Sequence, residues 1–128
     1  MQKDFGAWNG KKSQVDEKVR PFFREREIWF IALGVNVGVE QDGRGVDFLR
    51  PAVVFRKFNS ESFWAIPLTR AKKSGAFYFS FSFESGSMSA ANLSQLRLVD
   101  SRRLAYSVGE MSEEDFSALK ERLKALLP

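Results

Sequence analysis

The stretch AFYFSFSF, residues 76–83, constrains the fold more than any other. It alternates with a period of two, so Phe77, Phe79, Phe81 and Phe83 share one side while Tyr78, Ser80 and Ser82 share the other. Burying one such ring contributes about 1.5–3 kcal/mol. Four on one face commit the chain to a sheet packed on a core. A ring that stacks on an unpaired base needs an exposed face, and in this strand Tyr78, opposite the stripe, is the better candidate.

Other runs extend the sheet. EIWFIAL (27–33) is a near-continuous apolar stretch of residues that fit pleated surfaces and reads as a central strand. PAVVF and SFWAIPL read as two strands joined by the turn KFNSE. NLSQLRLVD alternates again, with Leu93, Gln95 and Arg97 on one side and Ser94, Leu96 and Leu98 on the other. Asp100 caps a short helical turn in SRRLAYS, with Arg102 and Arg103 on its solvated face. Near the end, Ser112 and Asp115 form a capping-box-like pair ahead of the stripe Phe116, Leu119, Leu123 and Leu126, which marks an amphipathic helix. At the other end, Phe5, Trp8, Val15 and Val19 recur at helical intervals behind Asp4, weakened by Gly6 and Gly10. Short strands with few helices and no regular βα alternation predict an α+β domain built on a small barrel or strongly bent antiparallel sheet.

The chain has 128 residues, enough for one domain with a core. It contains no cysteine and no histidine. Disulfides, thiolate nucleophiles, cysteine-ligated zinc and the usual neutral-pH general base are therefore all excluded. Chemistry must run on Arg, Lys, Asp, Glu, Ser, Thr or Tyr. Asp42 and Asp47, two loop acids without further ligands, make no metal site, and no cofactor is expected. The formal net charge of +4 suits a polyanionic partner. No apolar run is long enough to cross a bilayer and the N-terminus lacks a signal-peptide core, so a cytoplasmic location is expected.

In DFLRPAVVF (47–55), Arg50 is locked against Pro51 where an apolar strand begins. One reading is a plain strand boundary; the other is a fixed positive charge at the mouth of a sheet, where a phosphate fits. Arg70, Lys72 and Lys73 form a basic cluster beyond Thr69, suited either to tracking phosphates or to a solvated hairpin tip.

Taken in order, REIWFIALGVNVGVEQ, LRPAVVF, AIPLT and LSQLRLVDSRRL resemble the MazF/PemK family of toxins from type II toxin-antitoxin systems, over about residues 26–127. The resemblance implies an SH3-like antiparallel β-barrel with a C-terminal helix, spanning 25–128, and leaves 1–24 as an N-terminal helical extension. It further implies a homodimer that cleaves single-stranded RNA at short sequence motifs without a metal and is silenced by a cognate antitoxin. The RNA's own 2′-hydroxyl attacks the adjacent phosphate, leaving a 2′,3′-cyclic phosphate and a 5′-hydroxyl; the alternative is a catalytically silent RNA-binding or antitoxin-binding module. By the same resemblance Arg50 sits at the scissile phosphate, Thr69 supplies a hydroxyl there, and Glu40 and Gln41 belong to the loop shaping the groove. Gln95 and Arg97 support the site and the RNA. Two features depart from the family pattern: DGRGVDFL lengthens the link between Glu40–Gln41 and Arg50, and Ser94 stands where some members carry an acid. Glu40 or a bound water is then the candidate base.

Overall fold

Strand β1 (Glu27–Ala32) is apolar at nearly every position because both of its faces are covered. In the computed structural model, which describes residues 19–33, 49–71, 73–84 and 86–128, seven strands form one curled antiparallel sheet. After β1 come β2 (Leu49–Lys57), β3 (Ser62–Thr69), β4 (Tyr78–Glu84), β5 (Ser87–Asn92), β6 (Arg97–Asp100) and β7 (Leu104–Glu110), with helix α1 (Glu113–Lys124) closing the chain. The order across the sheet is β4-β5-β3-β2-β1-β7, and β6 pairs with the free side of β3. The expected helix ahead of Pro21 lies outside the described residues apart from Val19, which is exposed. No helix among the described residues is long and apolar enough to cross a membrane.

The inner face of the curl carries Ile28, Val53, Ile66, Leu68, Phe81 and Ala91, roofed by Phe116 and Leu119 of α1, with Phe79 and Phe83 packed alongside. Ser112 caps that helix by accepting the Asp115 N–H at 3.0 Å. On the outer face Trp29, Ile31, Ala52, Val54, Phe63, Ala65 and Val99 form a second cluster under Phe23 and Leu104. Phe23 is fully buried, its ring 4.9 Å from that of Phe63. This double burial explains why EIWFIAL shows no clean alternation.

One irregularity fixes the register of the central hairpin. Near the turn, Lys57 pairs with Phe63 and Arg56 with Trp64, whereas beyond a bulge Val54 pairs with Ala65 and Ala52 with Pro67. Phe55 is the extra residue, and its ring leans on Phe116 of α1 at 5.8 Å. A bulge of this kind shifts everything beyond it by one position. Pro67, without an N–H to give, falls in the gap on the other edge of β3, between Ser62–Ala65, paired to β6, and Leu68–Thr69, paired to β5.

Several sequence expectations need correction. Phe77 precedes β4 and is 53% exposed, because a turn in which the Tyr78 N–H reaches the Gly75 carbonyl lifts it out of the stripe. The alternation read in NLSQLRLVD is broken by a 3₁₀ turn, Leu93–Gln95, capped by Asn92. The helical turn after Asp100 spans only Ser101–Arg103, and Leu104 already starts β7. Nor are its arginines merely solvated: Arg102 forks onto Asp100 at 3.0 and 3.1 Å, and Arg103 donates to the Ala32 carbonyl at 3.1 Å. β2 begins at Leu49, so Arg50 is held inside a strand rather than at a turn.

Two contacts hold the sheet in its curl. Gly109 of β7 faces β4 so closely that a Cβ would come within 2.8 Å of the Phe83 ring. Asp100 accepts from Arg102 and from Arg20 at 2.9 Å, tying the segment before β1 to the β6 end. Chiefly through the Arg102 side-chain bond, its carboxyl is held well below the usual carboxylate range, against the opposing effect of burial.

Gly109→Ala is expected to cost about 1–3 kcal/mol of stability through overpacking against Phe83, measured by urea unfolding. Because the folded-state pKa of Asp100 lies below its unfolded value of about 3.9, its contribution is complete above that value and lost as pH falls. Asp100→Asn should therefore be less stable than wild type at neutral pH, with a shallower decline in melting temperature below about pH 4.

Candidate functional site

The hairpin register assembles the site. Continuing the Ala52–Pro67 pairing by two residues sets Arg50 opposite Thr69 at the end of the β2–β3 pair. Alternation puts both on the outer face, since Ala52 and Ala65 belong to the outer cluster and Leu68 to the inner one. Thr69 takes its face from β3's own unbroken alternation with Phe63 and Ala65; without the bulge at Phe55 it is Arg50 that would turn to the inner face.

Arg50 is exposed, and its guanidinium has no hydrogen-bond or ion-pair partner among the described residues. Thr69 is half-buried, and its Oγ1 accepts the Ala71 N–H at 3.2 Å. That bond occupies one lone pair and orients the hydroxyl, leaving its O–H available to donate. The pair thus offers a permanent cation and a neutral donor on one patch, the combination suited to the non-bridging oxygens of a phosphate.

Arg97 pairs with Ala65 and so lies on the same face, four residues along β3 from Thr69. At strand rise that is about 13 Å. Gln95 is exposed in the 3₁₀ turn set beside the gap in β3. Arg70 and Lys73 are exposed on the loop leaving Thr69. Glu40, Gln41 and Lys72 lie outside the described residues. Ser80, which the sequence did not single out, joins the Thr69 row through the Ser80–Ala90 and Ala90–Thr69 pairings; a serine in a strand carries no sequence signal of its own.

A separate groove of about 720 Å³ opens near the hairpin turn, lined by Arg24, Lys57, Phe58, Phe116 and Lys120 among others. It lies at the opposite end of the β2–β3 pair from Arg50, and none of the residues named above lines it. Among the described residues no group of three or more acids could hold a metal ion.

Residues 24–127 match the family model described as PemK-like, MazF-like toxin of type II toxin-antitoxin system. The chain belongs to this family. No match was found among curated proteins. Solved structures of MazF-like proteins share the fold at low sequence identity. The Mycobacterium tuberculosis toxin MazF-mt6 superposes with a TM-score of 0.60 at 14% identity, over 78% of this chain and 94% of that one. MazF from Deinococcus radiodurans gives 0.59 at 20% identity, over 80% and 93%. A mycobacterial endoribonuclease solved in complex with its cognate antitoxin gives 0.63 at 12% identity, over 81% and 95%.

In this MazF-like chain an exposed arginine that supports no other side chain contributes little to folding. Arg50→Ala should leave the free energy of unfolding within about 0.5 kcal/mol of wild type. Urea denaturation checks this, and a larger loss would make Arg50 a structural residue.

Proposed function

We propose that this MazF-like protein is a sequence-selective, metal-independent endoribonuclease that cleaves single-stranded RNA, acts as a homodimer and is silenced by an antitoxin protein. The observation that carries the reading is that Arg50, paired with the outer-cluster Ile31, and Thr69, set outward by β3's alternation, share the outer face, with no carboxylate among the described residues neutralising the guanidinium. Family membership supports it, and the relative solved with its cognate antitoxin supports the choice of partner.

The reaction needs no protein nucleophile. The 2′-oxygen of one ribose attacks the adjacent phosphorus and the bond from phosphorus to the 5′-oxygen breaks, giving a 2′,3′-cyclic phosphate and a 5′-hydroxyl. Negative charge gathers on the non-bridging oxygens as the new bond forms. Arg50 meets that charge with directed N–H donors, and the Thr69 hydroxyl adds a further donor. Because a guanidinium keeps its proton at neutral pH, arginine is a charge stabiliser and a proton source for the leaving oxygen rather than a base. The 2′-proton passes to Glu40 or to a bound water. Gln41, Gln95, Arg97, Arg70, Lys72 and Lys73 then hold the flanking strand along the face.

Incubating purified protein with a long single-stranded RNA in EDTA should produce new ends at a short recurring motif, with 5′-hydroxyl and 2′,3′-cyclic phosphate chemistry. Arg50→Ala should slow cutting by about 10²-fold or more. RNA retained on the protein with steep salt dependence, and no new ends, would instead identify a silent binding module.

A further inference from the structure

Phe77 stands apart from the other exposed aromatic residues. Phe58 is covered by Trp64 at 5.1 Å and by Arg56 at 5.7 Å, Tyr106 stacks on Phe30 at 5.1 Å, and Arg24 and Lys57 lie over Phe22. Phe77, 53% exposed, has no ring or cation stacked on it among the described residues.

Its backbone is fixed on both sides. The Phe77 carbonyl accepts the Leu93 N–H at 2.8 Å, which joins it to the 3₁₀ turn carrying Gln95. The next carbonyl, that of Tyr78, accepts from the Arg122 guanidinium at 2.8 Å. Gly75, at φ +113°, makes the reversal that turns Phe77 away from the core stripe. A ring on a held backbone loses little freedom when a ligand covers it.

The surroundings select the ligand. Phe77 ends the loop that leaves Thr69 and carries Arg70 and Lys73, both exposed and without an ion-pair partner among the described residues. Single exposed aromatics are common on protein surfaces; one placed between unpaired cations and a primary amide has the makings of a single-strand contact, where bases stack on rings and cations follow the backbone.

We propose that Phe77 is a stacking platform for an unpaired base of the RNA flanking the cleavage site, and so a specificity-determining contact. The inference rests on the endoribonuclease reading above and adds a residue to that cleft. The carbonyl link to Leu93 places the platform beside Gln95, whose amide can read the edge of the stacked base.

The test measures binding and cleavage separately. Binding uses a cleavage-site oligonucleotide with a 2′-deoxy sugar at the attacked position, and a random single-stranded RNA pool. Phe77→Ala should weaken binding by about 5- to 150-fold, the range for loss of one stacked base, and raise KM while leaving kcat and the melting temperature unchanged. Phe77→Trp should bind as tightly as wild type, whereas Phe77→Leu, apolar but unable to stack, should resemble Phe77→Ala. An abasic site at one flanking position should weaken wild type and leave Phe77→Ala unaffected. Wild-type binding by Phe77→Ala or Phe77→Leu, or an abasic penalty equal in both proteins at every position, overturns the inference while cleavage by wild type stands. Wild type that binds the pool without cutting refutes the endoribonuclease reading, and the binding arms still decide the stacking; wild type that neither binds nor cuts removes both.

Discussion

The site depends on one bulge. Phe55 is a residue too many in β2, and the ladder to β3 shifts by one position as it passes. Because side chains alternate with a period of two, a shift of one exchanges the faces of everything beyond it. Here the shift brings Arg50 to the outer face, which Thr69 holds through β3's own alternation. The bulge is held by the contact of Phe55 with Phe116, so the packing of the C-terminal helix reaches the guanidinium beside the Thr69 hydroxyl, at the far end of the hairpin, through the register of a single strand pair.

Double burial of the hairpin sets where that hydroxyl can act. For most of their length β2 and β3 have apolar clusters on both sides, and a charged group there would be costly to desolvate. Cover on the outer face includes Phe23, whose ring lies against Phe63, with Leu104 beside Ile31 on β7, and the last members of that cluster toward the site are Ala52 and Ile31. Arg50 is the next outward position along β2. The outer core therefore ends where the polar face begins, and the small residues Ala52, Ala65 and Ala90 keep that face low.

Apolar runs, alternation and capping were enough to read β1 to β4 and the C-terminal helix, while the strand SMSAAN of β5 was not read. The rest depended on partners distant in sequence. LAYSVGE became a strand by pairing with β1, an association that no local pattern announces. The 3₁₀ turns at Leu93 and Ser101 replace regular strand because Asn92 and Asp100 cap them with their own side chains. Phe77 follows the stripe in sequence and leaves it in space, since Gly75 permits a turn that the alternation cannot reveal. For the site, residue types and motif order pointed to Arg50 and Thr69. Their opposition could not be read, because counting back from the KFNSE turn without the bulge would set Arg50 against Arg70.

Several described arginines are committed within the fold, and those at the candidate site are not. Arg20 and Arg102 hold Asp100, Arg26 donates to the Met111 carbonyl, Arg103 to Ala32 and Arg122 to Tyr78; each closes a gap between elements remote in sequence or stiffens a turn. Arg50, Arg70 and Arg97 have no such partner among the described residues, and all three lie on or beside one outer face. A guanidinium already forked onto a carboxylate has few donors and little field left for a ligand. Three left without one within a short stretch of sheet raise the local positive potential together, although their mutual repulsion works against folding. Such a face carries a local potential that favours an anionic partner, and on the proposed reading charge would act before any base is read.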